Sequence, residues 1–335
     1  MRLLRPDQSI GARNDNLYMD TQLFKKAYSL IKNANSILIV THENPDGDAV
    51  ASVCLMAEIA KQVKKTYWLY CHNSLNYQNE FLPHLDEFKN YYDNFNFDLI
   101  VTLDCGSVER TKLEKEITKR RADQLVLEID HHPRARAYAN LEVRDSTAAA
   151  TTEILYHFLK INKIKINKNL ADCVLTGILT DTDNFLYPST SPETINIASE
   201  MLAAGARLPQ IMENTWRNKS IGSMKAWGKA LTRLKINPKY NFGFTVLEAE
   251  DVPPEITEEE LEGMAGFLSN LNGVNAIMLL REMPDGTIKG SLRATKPNIN
   301  IARLAATLGG GGHAKAAGFS INGKLEKTEN GWRIV

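Results

Sequence analysis

The chain has 335 residues, room for two domains of ordinary size, with 43% hydrophobic and 24% charged side chains, the balance of a soluble globular protein. Its formal net charge is zero, which argues against a long basic track for nucleic acid and for a small, local phosphate pocket. No apolar run approaches the roughly 18–20 residues that cross a bilayer, residues 1–6 lack the apolar core of a secretory signal, and the four cysteines show no C-x-x-C pair, so the expectations are a cytoplasmic protein, no membrane contact, no disulfide framework and no zinc ribbon.

Residues 21–32 carry apolar side chains at helical spacing, with Asp20 or Thr21 as the N-cap. Ser36-Ile37-Leu38-Ile39-Val40 then reads as a buried parallel strand, and Thr41-His42-Glu43-Asn44-Pro45-Asp46-Gly47-Asp48 follows it into a helix that runs to about residue 63. Pro45 and Gly47 are expected to shape the turn that lets the two acids diverge. Residues 67–71 form a strand, a short helix is expected around 80–90, and residues 97–104 form a strand that ends on Asp104. A charged surface helix over 108–121 precedes a strand over 124–130 that ends on Asp130-His131-His132. Helices over 147–159, 167–180 and 192–204 complete this half, the last with Pro192 at its first position.

Strand–helix alternation from 36 to about 180 predicts an α/β fold, a parallel sheet with helices on both faces. A long polar helix over 209–234 reads as a linker, so the domains are set at 20–205, 206–236 and 237–335. The third reads as a smaller α+β domain with a mixed sheet: a strand at 242–247, a helix at 258–268, a hairpin with its turn at Asp285-Gly286, a helix at 299–308 and a last strand at 316–321.

Three apolar strands that all end on Asp or His put carboxylates and imidazoles at one edge of the sheet, where open α/β sheets bind ligands. Acids crowded there repel one another unless cations fill the gap. Oxygen and imidazole donors without thiolate suit Mn²⁺ or Mg²⁺. Two such ions bring four positive charges, which Asp46, Asp48, Asp104 and one further carboxylate would cancel if the histidines stay neutral. Asp181 and Asp183, just past an apolar helix, both qualify as the fourth, and spacing does not choose between them. Two divalent ions at such a site activate water and clamp the leaving oxygen of a phosphoric ester. In the small domain, four consecutive glycines, among them Gly310, Gly311 and Gly312, followed by His313 form a candidate anion nest. Arg293 at the end of a strand and Arg134 after the double histidine are candidate phosphate partners.

The set His42-x-x-Pro45-Asp46-x-Asp48-Ala49, Asp104, Asp130-His131-His132 and Thr180-Asp181-Thr182 resembles the four motifs of the DHH phosphoesterase family. Gly309-Gly310-Gly311-Gly312-His313-Ala314-Lys315-Ala316-Ala317-Gly318-Phe319 resembles the signature of the DHH-associated C-terminal domain, and the match spans about residues 20–322. The resemblance implies His42 and Asp46 on one metal, Asp48, His131 and Asp181 on the other, and Asp104 between them. It implies that His132 faces the substrate phosphate as hydrogen-bond donor or general acid, with Asp130 orienting an imidazole. Size and domain pairing resemble the nano-RNase/pAp phosphatase branch. That implies Mn²⁺-dependent release of mononucleotides from short RNA and conversion of pAp to AMP, with short oligonucleotides or nucleotides as partners. A homodimer is compatible with this reading. The same family also contains dinucleotide phosphodiesterases and single-strand DNA exonucleases, and a non-catalytic nucleotide sensor is the reading from a different class. Two positions depart from the family pattern: Asp183 stands where a glycine is usual, and Leu186 where an arginine is common. An extra acid and a missing base are expected to weaken the hold on an anionic substrate.

Overall fold

A computed structural model describes residues 21–73, 75, 81–92, 94–261, 263–296, 298–312, 314–328 and 331–335. The first sheet contains β1 (Ser36–Val40), β2 (Thr66–Tyr70), β3 (Phe88–Lys89), β4 (Leu99–Leu103), β5 (Leu125–Asp130) and β6 (Leu141–Arg144). All neighbours run parallel, in the order β3-β2-β1-β4-β5-β6. A parallel strand covered on both faces needs consecutive apolar residues instead of alternation. Residues 37–40 and 99–103 meet that need and are buried throughout. The strand order reverses between β1 and β4, which opens a crevice at their carboxyl ends.

Around this sheet lie α1 (Thr21–Asn33), α2 (Gly47–Gln62), α3 (Glu114–Thr118), α4 (Thr151–Ile161), α5 (Lys168–Asp181) and α6 (Pro192–Ala203). Residues 48–60 of α2 are buried without a break, including the polar Asp48, Ser52 and Glu58, so the helix is covered on every side. One face of the sheet packs on a core that includes Phe24, Leu55, Phe158 and Ile178, and the other on Val108, Leu113 and Ile117. The helix expected over 108–121 is a 3-10 turn (Glu109–Thr111) followed by the five residues of α3, because Lys112 turns left-handed at φ 59° between them. Around 80–90 the described residues hold only a 3-10 turn (Leu85–Glu87) ahead of β3.

The helix expected over 209–234 is two helices, α7 (Leu208–Thr215) and α8 (Ile221–Arg233). Ser220 is extended and caps α8 by accepting from the Ser223 N–H, which ends any continuity with α7. Ala226, Trp227 and Ala230 of α8 pack against Leu247, Leu261 and Met264, so this helix belongs to the core of the small domain. That domain continues with β7 (Lys235–Asn237), β8 (Phe242–Leu247), α9 (Glu258–Leu261), α10 (Met264–Leu268), β9 (Ala276–Glu282), β10 (Thr287–Ala294), α11 (Ala302–Thr307), β11 (Gly311–Gly312), β12 (Ala316–Asn322), β13 (Leu325–Thr328) and β14 (Gly331–Ile334). Its sheet runs β11-β12-β10-β9-β8-β7, with β8 and β9 parallel and the other pairs antiparallel. The expected mixed sheet is present, and the β13–β14 hairpin is an addition that the sequence reading lacked. Among the described residues no helix is long and apolar enough to cross a membrane.

Candidate active site

The site is built at the crevice between β1 and β4. His42 follows β1, and its Nδ1 lies 2.7 Å from the Glu43 carbonyl oxygen. A carbonyl only accepts, so Nδ1 carries a proton. Nε2 is buried and has no hydrogen-bond partner among the described residues, with an Asp104 oxygen 4.0 Å away. Asp46 is the N-cap of α2 and accepts from the Ala49 N–H at 3.0 Å. Asp48 lies in the first turn of the same helix, where a negative charge suits the helix dipole. Gly47 between them has no left-handed backbone. A Cβ there would lie 2.4 Å from the Thr180 side chain, so close approach of α5, and not a special turn, requires glycine.

Asp48 also caps a second helix. The N-cap position of α4 is Ala150, which has no side chain to offer. The Asp48 carboxylate replaces it, accepting from the N–H of Thr151 at 2.6 Å and of Thr152 at 3.1 Å. Burial raises the Asp48 pKa well above the usual carboxylate range, and the charges of Asp104 and Asp46 push it further. Crowded acids of this kind favour a nearby cation.

Asp104 leaves β4 in a left-handed conformation, φ 58°, which turns its carboxylate into the crevice. It accepts from the Thr151 hydroxyl at 2.8 Å and lies 3.4 Å from both His131 Nε2 and His132 Nδ1. Burial alone would raise its pKa, but the His132 hydrogen bond and the charges of His131, His132 and His42 hold it well below the usual range. Asp130 accepts from the Gly106 N–H at 2.6 Å, the His132 N–H at 2.8 Å and His132 Nδ1 at 2.9 Å, and so fixes the second histidine of the pair. Burial would lower the His132 pKa, but hydrogen bonds to Asp104 and Asp130 raise it to about 10.

These side chains converge as two neighbouring triads. His42, Asp46 and Asp104 bring ligand atoms within 4.8 Å of one another, and so do Asp48, His131 and Asp181. A third group, Asp104, His131 and His132, overlaps both. Asp181 ends α5 with an oxygen 3.1 Å from His131 Nε2, whereas Asp183 belongs to no triad.

A cleft between the domains opens over the triads in two wings of about 820 and 830 Å³ that share Asp46, Thr180, Thr215, Gly263 and Arg293. Arg293 donates from Nε to the Tyr187 hydroxyl at 3.2 Å and lies over that ring. Gly312 lines the second wing with Lys315. A Cβ on Gly310 would lie 2.1 Å from the Gly318 carbonyl oxygen, and one on Gly312, at φ 130°, 2.6 Å from that of Ala316, so both positions need glycine to pass over β12. Gly311 is exposed with open space beside it, and His313 lies outside the described residues. Arg134 does not line either wing. It sits at the surface with Nη2 2.9 Å from a Glu142 oxygen.

The two departures from the family pattern have different fates. Leu186 is 62% exposed and lines neither wing. Asp183 is buried in the second wing, where burial raises its pKa against the opposing charges of Arg293 and Lys219. Asp183, Asn184 and Phe185 are left-handed in succession, φ 49°, 58° and 68°. Asp183→Gly is therefore expected to gain about 1 kcal/mol from relief of the first of these strained residues and to tighten anionic substrates several-fold by freeing the field of Arg293. Thermal melting and KM on a phosphorylated dinucleotide check both halves.

Sequence reasoning missed Thr151, Thr152, Gly177 and Tyr187. The available signal was Ala150, a helix start without a capping side chain, which calls for an acceptor from elsewhere in the chain.

Residues 36–178 match the N-terminal domain of the DHH family, and residues 242–330 match the DHHA1 domain. The chain carries both DHH-family domains. This DHH protein is a metal-dependent phosphoric ester hydrolase, and its Asp and His clusters could hold metal. It is 27% identical over 289 residues to the bifunctional oligoribonuclease and PAP phosphatase NrnA of Thermus thermophilus, covering 86% of this chain and 84% of that one. It is 26% identical over 292 residues to the Bacillus subtilis protein of the same name, covering 86% and 90%. The crystal structure of an exopolyphosphatase-related protein from Bacteroides fragilis shares this fold at a TM-score of 0.80 and 24% identity, covering 90% of this chain and 92% of that one.

Proposed function

We propose that the protein hydrolyses short oligoribonucleotides to mononucleotides and pAp to AMP, with two divalent ions, Mn²⁺ foremost. The observation that carries this reading is the pair of triads at the floor of an interdomain cleft. The donor set fits metal on a specific point: His42 Nε2 is buried beside carboxylates without a hydrogen-bond partner among the described residues. His42, Asp46 and Asp104 would hold one ion, and Asp48, His131 and Asp181 the other, with Asp104 shared. Such ions supply Lewis acidity and an activated water. The remaining work falls to the chain. His132 can donate to the leaving oxygen, and Asp130 keeps its imidazole oriented. Arg293 and Lys315 can neutralise substrate phosphates from the small domain. Wings of about 820 and 830 Å³ suit a short nucleotide chain. The NrnA relatives support the choice of substrates.

Side-by-side assays with Mn²⁺ on 5′-pApA, pAp, cyclic di-AMP and pyrophosphate test the reading. The expected result is turnover of pApA and pAp that a chelator abolishes and added Mn²⁺ restores. Preference for pyrophosphate or the cyclic dinucleotide would overturn it.

A further inference from the structure

β6 is an edge strand of the first sheet, yet its last residue, Arg144, reaches the double histidine. The parallel register sets Arg144 beside Asp130 of β5. Residues two apart on a strand share a face, so Glu128 and Asp130 present two carboxylates to one guanidinium. Their side chains are at most 1% exposed, and that of Arg144 is 11% exposed. Arg144 Nη2 donates to Glu128 Oε1 at 2.5 Å and lies 3.4 Å from Asp130 Oδ2, while Nη1 donates to the His132 carbonyl oxygen at 2.5 Å. Asp130 keeps its other oxygen, Oδ1, for both the N–H and the Nδ1 of His132. Arg144 therefore grips the carbonyl end of His132 directly, and its N–H and imidazole through Asp130. A residue that only neutralised Glu128 and Asp130 would need Nη2 alone. The bond from Nη1 to a backbone carbonyl adds nothing to neutralisation, but it fixes the chain where it leaves β5 at the two histidines.

We propose that Arg144 is a positioning residue for His132: its planar fork ties the Asp130 carboxylate to the His132 peptide, so that the imidazole faces the oxygen leaving phosphorus. In that step water adds to phosphorus and the P–O bond to the sugar breaks with its electron pair on the departing oxygen. That oxygen takes a proton from His132, and the proton shed by the water restores it. The inference rests on the reading of His132 as donor to the leaving oxygen. A departing nitrophenolate is stable without a proton, so an ester with that leaving group escapes the dependence on His132. Lysine at 144 would keep the charge but lose the fork, because an ammonium is a point charge on a flexible stem. Removing the cation alone would strip the buried Glu128 of its ion-pair partner, which is costly to the fold.

The test compares R144K, R144Q/E128Q and the unaltered protein, with kcat and KM measured in saturating Mn²⁺ on pApA and on the p-nitrophenyl ester of thymidine 5′-phosphate. R144K keeps the cation and the double variant removes both charges of the pair, so neither leaves Glu128 as a lone buried charge. Thermal melting confirms that the variants fold, and the double variant decides if R144K does not. The expected result is a fall in kcat on pApA of about 10–100-fold, with KM nearly unchanged and turnover of the nitrophenyl ester close to that of the unaltered protein. Full turnover of pApA by R144K would overturn the proposal, since any cation would then serve. Equal losses on the two esters would overturn it as well, because a damaged fold or metal centre slows both alike. If the unaltered protein cleaves cyclic di-AMP in place of pApA, the proposed function fails, and the same comparison made on cyclic di-AMP still decides the role of Arg144.

Discussion

Asp104→Asn is expected to remove about a thousandfold or more of Mn²⁺-dependent turnover while leaving the protein folded. Asparagine tolerates the left-handed backbone at φ 58° better than other replacements. The Asp104 N–H still donates to the Ile129 carbonyl at 3.1 Å, and the Thr151 hydroxyl can still donate to the amide oxygen. What disappears is one negative charge at the junction of the two triads, facing His42, His131 and His132. If both ions depend on that carboxylate, Mn²⁺ affinity measured by calorimetry falls along with kcat on pApA. Retained turnover in D104N would reject the two-metal assignment, because no other acid is common to the overlapping clusters. A melting temperature close to that of the unaltered protein separates lost chemistry from lost fold.

The parts of the site legible in the sequence are those that local pattern encodes. Apolar strands ending on His42, Asp104 and Asp130 put the polar residues at one sheet edge, and a parallel sheet brings those ends side by side. The fold class follows from the same alternation. What local pattern does not encode is which distant backbone a side chain meets. Asp48 and Thr151 are 103 residues apart, and no periodicity says that the acid of one helix caps another. The small domain shows the same limit: α8 looks polar in sequence, yet the few apolar residues on one face, Ala226, Trp227 and Ala230, suffice to dock it. The glycine-rich stretch carried two meanings at once. Gly310 and Gly312 are explained by close passage over β12, a contact between backbones that residue identity alone does not reveal. Asp183 was visible as an oddity, but its burial beside Arg293 became readable only once the two domains were placed together.

Gly177→Ala tests how tightly that long-range architecture is tied to the site. In an exposed helix interior, glycine to alanine stabilises by roughly 0.5–1 kcal/mol, because the unfolded chain loses freedom. Gly228 of α8 is such a position, with nothing within 4 Å of an added Cβ, and Gly228→Ala is expected to raise the melting temperature slightly. At Gly177 the sign reverses. A Cβ there would stand 2.1 Å from the Asp48 carboxylate and 2.2 Å from the Thr152 hydroxyl. Both neighbours are fully buried and lack the free space of a surface side chain. Relief requires α5 to move away from α2 or the Asp48 carboxylate to swing out. Overpacking costs about 1–3 kcal/mol, and freeing the N–H groups of Thr151 and Thr152 inside the protein adds about 1–3 kcal/mol. The sum, about 2–6 kcal/mol, corresponds to a fall in melting temperature on the order of 5–20 °C for a domain of this size. Activity should drop even at temperatures where the variant is folded, because Asp48 is both the cap of α4 and a member of the second triad. Differential scanning calorimetry of G177A and G228A, with kcat measured below both transitions, checks the two expectations together. A G177A protein as stable and as active as G228A would mean that Asp48 is not pinned between these helices.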